Sequence, residues 1–517
     1  MSAEVTGSEM QQFLEGDPLN PNSEKEDAAP KRTCYESCNY VCRNITVEPT
    51  MALFVLPAIL TILTTQNLSL EKACRVNLNF TDEICRSLKL QQVDTQNEYE
   101  KATQQLLTKF LASRTYITAT IPCLIALFAG SYSDKTGRRK IFLLMPIFGQ
   151  ILVVSNNMLN VYFFYELNLE FLTFSEAIFE GFSGGWTVAF FTMFAFISDI
   201  TTEKNRTFRM GLLNFALTVG FPIGMGLSGV LLKNFGYYGC YGVAFGCHAL
   251  NFSYNAFILK EPEKTLAQKK FQHENKGVCN FFRTFFSLAN IRESWNVVFR
   301  SGPNHRRVRM IVYMLVIATL FGPMYGEISV LYLNTRYRFN WDEVKFSVFQ
   351  TYNFVMHTVG TMFSIIVFSK VLGWHDSLLG IISTVSKLFS SFVYCFAPNG
   401  KIFFIAPLVE ILNGTSLLAM RSIVSKFVDS NELGKVNSII SLTENLMPLV
   451  YVPLYTNVYK ATMEVLPGAV FLMGAALTFP AVIVFIWLLY EHRKGVRRLK
   501  TEEADELPTK DNLLQPN

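Results

Sequence analysis

Apolar residues along this chain gather in blocks of about 20, the length a helix needs to cross about 30 Å of hydrocarbon. The blocks lie near Met51–Asn67, Tyr116–Tyr132, Ile141–Tyr162, Phe171–Ser198, Met210–Leu232 and Tyr238–Leu259, then near Met310–Tyr332, Phe346–Phe368, Ser377–Phe396, Ile402–Val424, Val436–Tyr459 and Pro467–Tyr490. A backbone in lipid must satisfy its own hydrogen bonds, so each block reads as a helix. The pattern predicts an all-α membrane protein of about twelve transmembrane helices. A polar segment from Lys260 to Arg309, ending in His305-Arg-Arg-Val-Arg309, splits them into two six-helix halves. The expected organisation is a tail over residues 1–46, a first half over 47–259, a basic linker over 260–309, a second half over 310–490 and a tail over 491–517. The stretch up to Thr46 is polar and has no apolar signal core, so the first block is expected to be an uncleaved span.

Composition fits this picture. Half of the 517 residues are hydrophobic, 46 are Phe, and 17% are charged, against about 25% in soluble domains. The net charge of +5 matters through its placement. Lys and Arg concentrate in Asp134–Lys140, Glu203–Arg209, Lys260–Arg309, Arg421–Lys435 and His492–Lys500. In a twelve-span arrangement these all fall on one side, which the positive-inside rule places in the cytosol with both termini. The loop Asn334–Lys345, with Arg336, Arg338 and Lys345, is the exception on the other side.

The long outer loop from Asn67 to Leu111 holds two sequons, Asn67-Leu-Ser69 and Asn79-Phe-Thr81, as the expected glycosylation sites. It also holds Cys74 and Cys85, which are either disulfide-bonded or free thiols in a flexible loop. Other sequons, at Asn44, Asn205, Asn251 and Asn413, fall on the cytosolic side or within spans. Cys34, Cys38 and Cys42 cluster before the first span, with no nearby His to complete a zinc site. They are acylation candidates or simple thiols.

Two groups of residues could carry chemistry. The first is the loop Gly130-Ser-Tyr-Ser-Asp134-Lys-Thr-Gly137-Arg138-Arg139-Lys140. Gly130 permits a close helix approach, Asp134 can pair at a helix terminus, Gly137 allows a tight reversal, and Arg138 and Arg139 sit at the membrane face. Together they form a breakable latch; the plain alternative is an ordinary basic loop. The second group is the ionisable residues within spans, which are costly in lipid and usually face a cavity. They are Glu176, Glu180, Glu327, His357, Lys387, Glu410, Arg421 and Glu444. Glu176 and Glu180 share a helix face. Glu410 and Arg421 lie about 16 Å apart on one stripe, too far to pair. The plain readings are a hydrated Glu176 near the boundary, a snorkelling Lys387, a structural His357 and an inner-leaflet anchor at Arg421. The run Gly220 to Gly229, with Pro222, suits either a bending helix or tight packing. No phosphate-cradling loop, metal-binding His pair or nucleophile elbow occurs. The reading is therefore not an enzyme, with no cofactor and no metal, and any transport draws on a gradient or is passive. The expected partners are a small organic solute, protons and membrane lipid, and no nucleic acid.

The spacing Gly-x3-Asp-x2-Gly-Arg-Arg resembles the signature loop of the major facilitator superfamily. Further segments resemble the proton-coupled folate transporter family, solute carrier family 46. These are Val47-Glu48-Pro49 with Thr64-Thr65-Gln66, Asp199 followed by Arg206-Thr-Phe-Arg209-Met-Gly-Leu-Leu213, Leu331-Tyr332 with Trp341, and Arg421 with Ser425-Lys426. The resemblance implies the major facilitator fold, a latch role for Asp134 and Arg138, and a substrate or proton role for Arg421. Glu327 lies near an acidic family position. Where the folate transporter has a coupling glutamate, this chain has Asn214, and where it has a histidine, Leu320. The family cysteine before the loop tryptophan is Asn340 here, which favours a local Cys74–Cys85 pair. The implied function is secondary transport of an organic solute, expected to be an organic anion, by alternating access with proton coupling, at the plasma membrane or an endolysosomal membrane. The alternative is a non-transporting receptor or scaffold that keeps the fold.

Overall fold

Pro49 in the first turn and the Glu48 carboxylate set the start of the first helix. Glu48 accepts the Thr46 and Val47 N–H groups at 2.8 and 3.0 Å, and Pro fits a first turn whose donor would be unpaired anyway. The computed structural model describes residues 46–92, 97–201, 203–263, 268–269, 280, 285–286, 299–300, 305–428 and 433–506. Helix α1 (Glu48–Lys72) runs on through a wide turn, Ala73–Asn77. After the short α2 (Asp82–Lys89), Asn97 caps α3 (Glu98–Thr136), which ends at Gly137 in the left-handed region with φ 64°. Then come α4 (Lys140–Tyr162), α5 (Leu169–Phe182), α6 (Gly185–Ile200) and α7 (Glu203–Ser253). The second half contains α8 (Arg306–Phe339), α9 (Glu343–Phe363), α10 (Asp376–Phe396), α11 (Gly400–Phe403), α12 (Ala406–Val409), α13 (Thr415–Phe427), α14 (Leu433–Thr462) and α15 (Ala469–Glu506).

Among the described residues, nine helices are long and apolar enough to cross a membrane. The difference from about twelve has three causes. Helix α7 is two helices joined at Gly236. The tenth block is broken into α11, α12 and α13, each too short to count. Helix α14 is long enough but interrupts its apolar sequence with Glu444 and Asn445.

The structure adds detail to three sequence expectations. The outer loop is mostly helical, because α1 continues to residue 77 and α3 begins at Glu98. Asn67 therefore lies inside α1, where its Nδ2 donates to the Leu63 carbonyl and its Oδ1 accepts from Tyr332 Oη at 2.8 Å. The Asn67 sequon is thus part of a helix, with its amide engaged on both sides. Asn79 stands exposed in the turn that follows. Finally, α15 continues to Glu506, so the first part of the expected tail is helical. The first 45 residues, with Cys34, Cys38 and Cys42, and most of the linker lie outside the described residues.

Among the described residues, two crossings are discontinuous, one in each half. The fourth breaks at Ser183-Gly184, with Gly184 at φ 83° and Gly185 at φ 49°. The tenth breaks over residues 410–414. Helix α10 supplies serines to the exposed backbone of that second break. Ser383 donates to the Asn413 carbonyl at 2.6 Å and accepts the Ser416 N–H at 2.9 Å, and Ser386 donates to the Val409 carbonyl. Non-helical backbone at membrane depth is tolerated only where protein or a water-filled cavity satisfies it.

The halves meet at the end that bears the Cys74–Cys85 hairpin, whose Cα atoms lie 5.9 Å apart. Arg336 of α8 and Glu100 of α3 form a buried pair at 2.6 Å. Beside it Gln104 donates to the Leu333 carbonyl and accepts from Tyr459 Oη, and Lys101 pairs with Glu464. The opposite end carries the basic loops.

Candidate functional site

Both discontinuous crossings place a glutamate at the break, and each glutamate shares a base with a second carboxylate. In the second half, α10 delivers Lys387, whose Nζ lies 2.6 Å from Glu327 Oε2 of α8 and 3.3 Å from Glu410 Oε1. Glu410 also accepts from Ser390 at 3.1 Å and from Asn413 Nδ2 at 2.9 Å. All three ionisable side chains are largely withdrawn from solvent. With both carboxylates ionised, the ammonium leaves one unit of negative charge in a region of weak screening. Glu327 Oε1 is buried without a partner, as is Tyr455 Oη. Both approach Gly474, where a Cβ would lie 2.4 and 2.7 Å from them. His357 of α9 packs against the same break: a Cβ on Gly414 would fall 2.8 Å from its ring.

In the first half, Arg114 of α3 reaches two glutamates of α5. Its Nη2 lies 3.1 Å from Glu176 Oε1 and 2.9 Å from Glu180 Oε2. Glu176 is 7% exposed and ion-paired, so it is not merely hydrated at a boundary. The trio borders a cavity of about 110 Å³, walled by α1, α3, α4 and α5 together with Trp186 and Leu333.

The other predicted residues are spread. Arg421 pairs with Glu444 of α14 at 2.5 Å and keeps 47% of its side chain exposed, while Glu444 is buried. It does not touch Glu410, as the spacing predicted. Next to Glu444, Asn445 accepts from Thr187 of α6 at 3.1 Å, a contact across the two halves. Asn214 is exposed on α7 and joins neither cluster. Leu320 is a half-buried packing residue.

In the basic loop, Arg139 rather than Arg138 is the hub. It pairs with Asp134 and with Asp199, both at 2.7 Å, and donates to Ser133 at 2.9 Å. Glu261 accepts the Arg139 and Lys140 N–H groups. Arg138 is exposed. Gly137 closes α3 as expected, and Gly130 faces the Phe191 ring of α6, 3.2 Å from where its Cβ would be.

Sequence reasoning missed Arg114, because the second span was placed from Tyr116 onward. The signal available was the Asn97 cap and the continuous helical sequence after it. It also missed the serines of α10, whose role exists only once the tenth crossing is known to break.

Comparison with known proteins agrees with this architecture. The family model described as Major Facilitator Superfamily matches residues 107–452, more than half of the chain. A lysosomal proton-coupled steroid conjugate and bile acid symporter, SLC46A3, of Gallus gallus is 24% identical over 428 residues, covering 80% of this chain and 87% of the relative. A probable peptidoglycan muropeptide transporter, SLC46, of Drosophila melanogaster is 20% identical over 439 residues, covering 82% and 81%. Among solved structures, the inward open xylose transporter XylE from E. coli aligns with a TM-score of 0.55 at 14% identity, covering 86% of this chain and 95% of that one. The human organic anion transporter MFSD10 aligns with a TM-score of 0.54 at 14% identity, covering 85% and 98%. These structural likenesses establish the fold. The chain belongs to the Major Facilitator Superfamily, as a divergent member similar to solute carrier family 46.

Proposed function

We propose that this transporter moves a small organic solute with an anionic group by alternating access, coupled to protons. The observation that carries the reading is the pair of broken crossings, each beside a base held between two carboxylates. Interrupted helices at matching positions of two repeats mark the binding region of such carriers, and the halves rock about it. Glu327 and Glu410 share Lys387, so a proton on either one leaves a neutral cluster; this is the coupling site in the proposal. Arg421, half exposed beside the cross-half contact at Asn445, meets the anionic group. Asn214 does not titrate and lies in the pathway only as a polar lining residue. Asp134, Gly137, Arg138, Arg139 and Gly130 form the latch, with Arg139 as its hub.

The basic end faces the cytosol with both termini, and the hairpin end faces outward or into a lumen. This orientation gives Asn79 to the glycosylation machinery and Cys74–Cys85 to an oxidising space. The membrane is the cell surface or an endolysosomal one; the Gallus gallus relative is named lysosomal.

The test is uptake by vesicles containing the purified protein, offered a mixed metabolite pool at acidic and neutral outside pH. Flux that rises with an inward proton gradient supports the reading. Binding without flux under every gradient sinks it in favour of the receptor or scaffold alternative. Within the same assay, Arg421→Ala is expected to lower uptake severely; full uptake would remove Arg421 from the site.

A further inference from the structure

The cavity in the first half does not match an anion. Of the residues that line it, Arg114, Glu176 and Glu180 alone are ionisable, so its wall holds one positive and two negative charges. The recorded bonds from Arg114 leave through Nη2, which divides between Glu176 Oε1 and Glu180 Oε2. Its Nε has no partner and is sealed from solvent, so it offers nothing to a ligand. The second oxygen of each carboxylate takes part in none of the recorded hydrogen bonds. Nη1 of Arg114 likewise takes part in none of these hydrogen bonds, so the cavity presents one donor edge beside two acceptor oxygens and, with all three groups ionised, a net negative charge. Trp186 contributes an indole to the same wall, and Gln66 and Gln150 add uncharged polar groups. Carboxylates beside an indole suit a cation, through charge-assisted hydrogen bonds and the ring's negative face. A bound cation would also bring the buried charge to zero, which removes the penalty of an uncompensated ion.

We infer that the cavity beside Arg114, Glu176 and Glu180 binds a protonated amine carried by the solute. This rests on the transporter reading and sharpens it: the cargo has an amine at one end and the anionic group at the other.

The test compares D-glucosamine with D-glucose, which differ by the ammonium group, on the full-length protein in detergent below neutral pH. Thermal stabilisation is titrated for each sugar. Glucosamine is expected to bind more tightly than glucose, and Glu180→Gln and Glu176→Gln are each expected to weaken it about tenfold, as for loss of one hydrogen bond to a charged group. Arg114→Gln, which makes the wall more negative, is expected to keep or strengthen the preference. Glucosamine no tighter than glucose, absence of binding by either, or a preference that survives both glutamate substitutions overturns the inference. The vesicle assay separates this from the transporter reading. Glutamate-dependent glucosamine binding without any flux upholds the amine site and sinks transport. Flux of solutes that carry no amine upholds transport and sinks the amine site.

Discussion

Lys387 is held by two carboxylates, Glu327 of α8 and Glu410 of the tenth-crossing break, and neither has another cation among its ion pairs. Replacing it with Met leaves Glu327 and Glu410 facing each other in a buried space. Removing one partner of a buried pair costs about 3–5 kcal/mol. Lys387→Met is thus expected to lower the unfolding temperature sharply, and adding Glu327→Gln and Glu410→Gln is expected to restore much of it. If Lys387→Met unfolds like the parent protein, the cluster does not hold the charge described. At the basic end His375 gives a different residue-scale prediction. Its Nδ1 accepts the Ser377 N–H at 3.2 Å, capping α10, and its ring stacks on His492 at 3.8 Å. Burial, then the neighbouring His492, pushes the His375 imidazole down to about 4. A base depressed in the folded state gives stability that is complete above its unfolded value, about 6.5, and is lost as pH falls toward 4. Thermal unfolding is expected to become steadily easier across that window, and His375→Asn, which can keep the cap, is expected to flatten the slope. An unchanged slope in that variant would assign the acid sensitivity elsewhere. At this scale the sequence named the members but not their partners. Glu327, Lys387 and Glu410 stood out because charges in apolar blocks are rare. That they form one cluster depends on how α8, α10 and the broken crossing pack, which no local pattern records.

Helix positions were largely legible, because apolar block length is set by bilayer thickness rather than by tertiary contacts. The breaks were not. The tenth block, Ile402–Val424, averages as apolar although it contains Glu410, Asn413 and Gly414 in a row of five. Hydropathy smooths over such a run, while the structure uses it to end one helix and begin another. The break is also held from outside. A Cβ on Gly360 of α9 would fall 1.7 Å from the Ile411 carbonyl, so that helix can lie against the interrupted backbone only as glycine. On the other side, a Cβ on Gly414 would lie 1.9 Å from Thr361 Oγ1 as well as against the His357 ring. Gly414→Val is therefore expected to push α9 away from the break and reduce uptake to near background. Surface expression should persist, since the seam is local. Thr361→Ala in the same chain removes one clashing atom and is expected to recover part of the activity. If Gly414→Val transports normally, the break is not a shaped part of the pathway.

For the whole molecule, the ion pairs between the halves among the described residues gather at the hairpin end, so alternating access requires that seal to open. Arg336 and Glu100 are its buried ionic core, and Arg336 also donates to the Leu88 carbonyl of the loop helix α2. The pair joins the long α3, which reaches past the span predicted for it, to the basic stretch that the charge rule could not explain. Arg336 and Arg338 at the hairpin end are thus structural: Arg338 donates to the carbonyls of Tyr394, Cys395 and Ala397. Removing the Glu100 charge leaves Arg336 buried and half satisfied, which weakens the sealed state relative to one in which Arg336 is hydrated. Each 1.4 kcal/mol of that difference shifts the two populations about tenfold. Glu100→Gln is accordingly expected to raise the population open at the hairpin end. The measurement uses Ser69→Cys, a buried cavity residue under the seal, labelled by a membrane-impermeant maleimide added to intact cells in which the protein is first confirmed at the surface. Labelling should be slow in the parent background and markedly faster with Glu100→Gln, and a solute that favours the sealed state should slow it again. Equal labelling rates in both backgrounds would show that Glu100–Arg336 does not gate this end, and would move the seal to the hydrogen bonds of Gln104 and Tyr459.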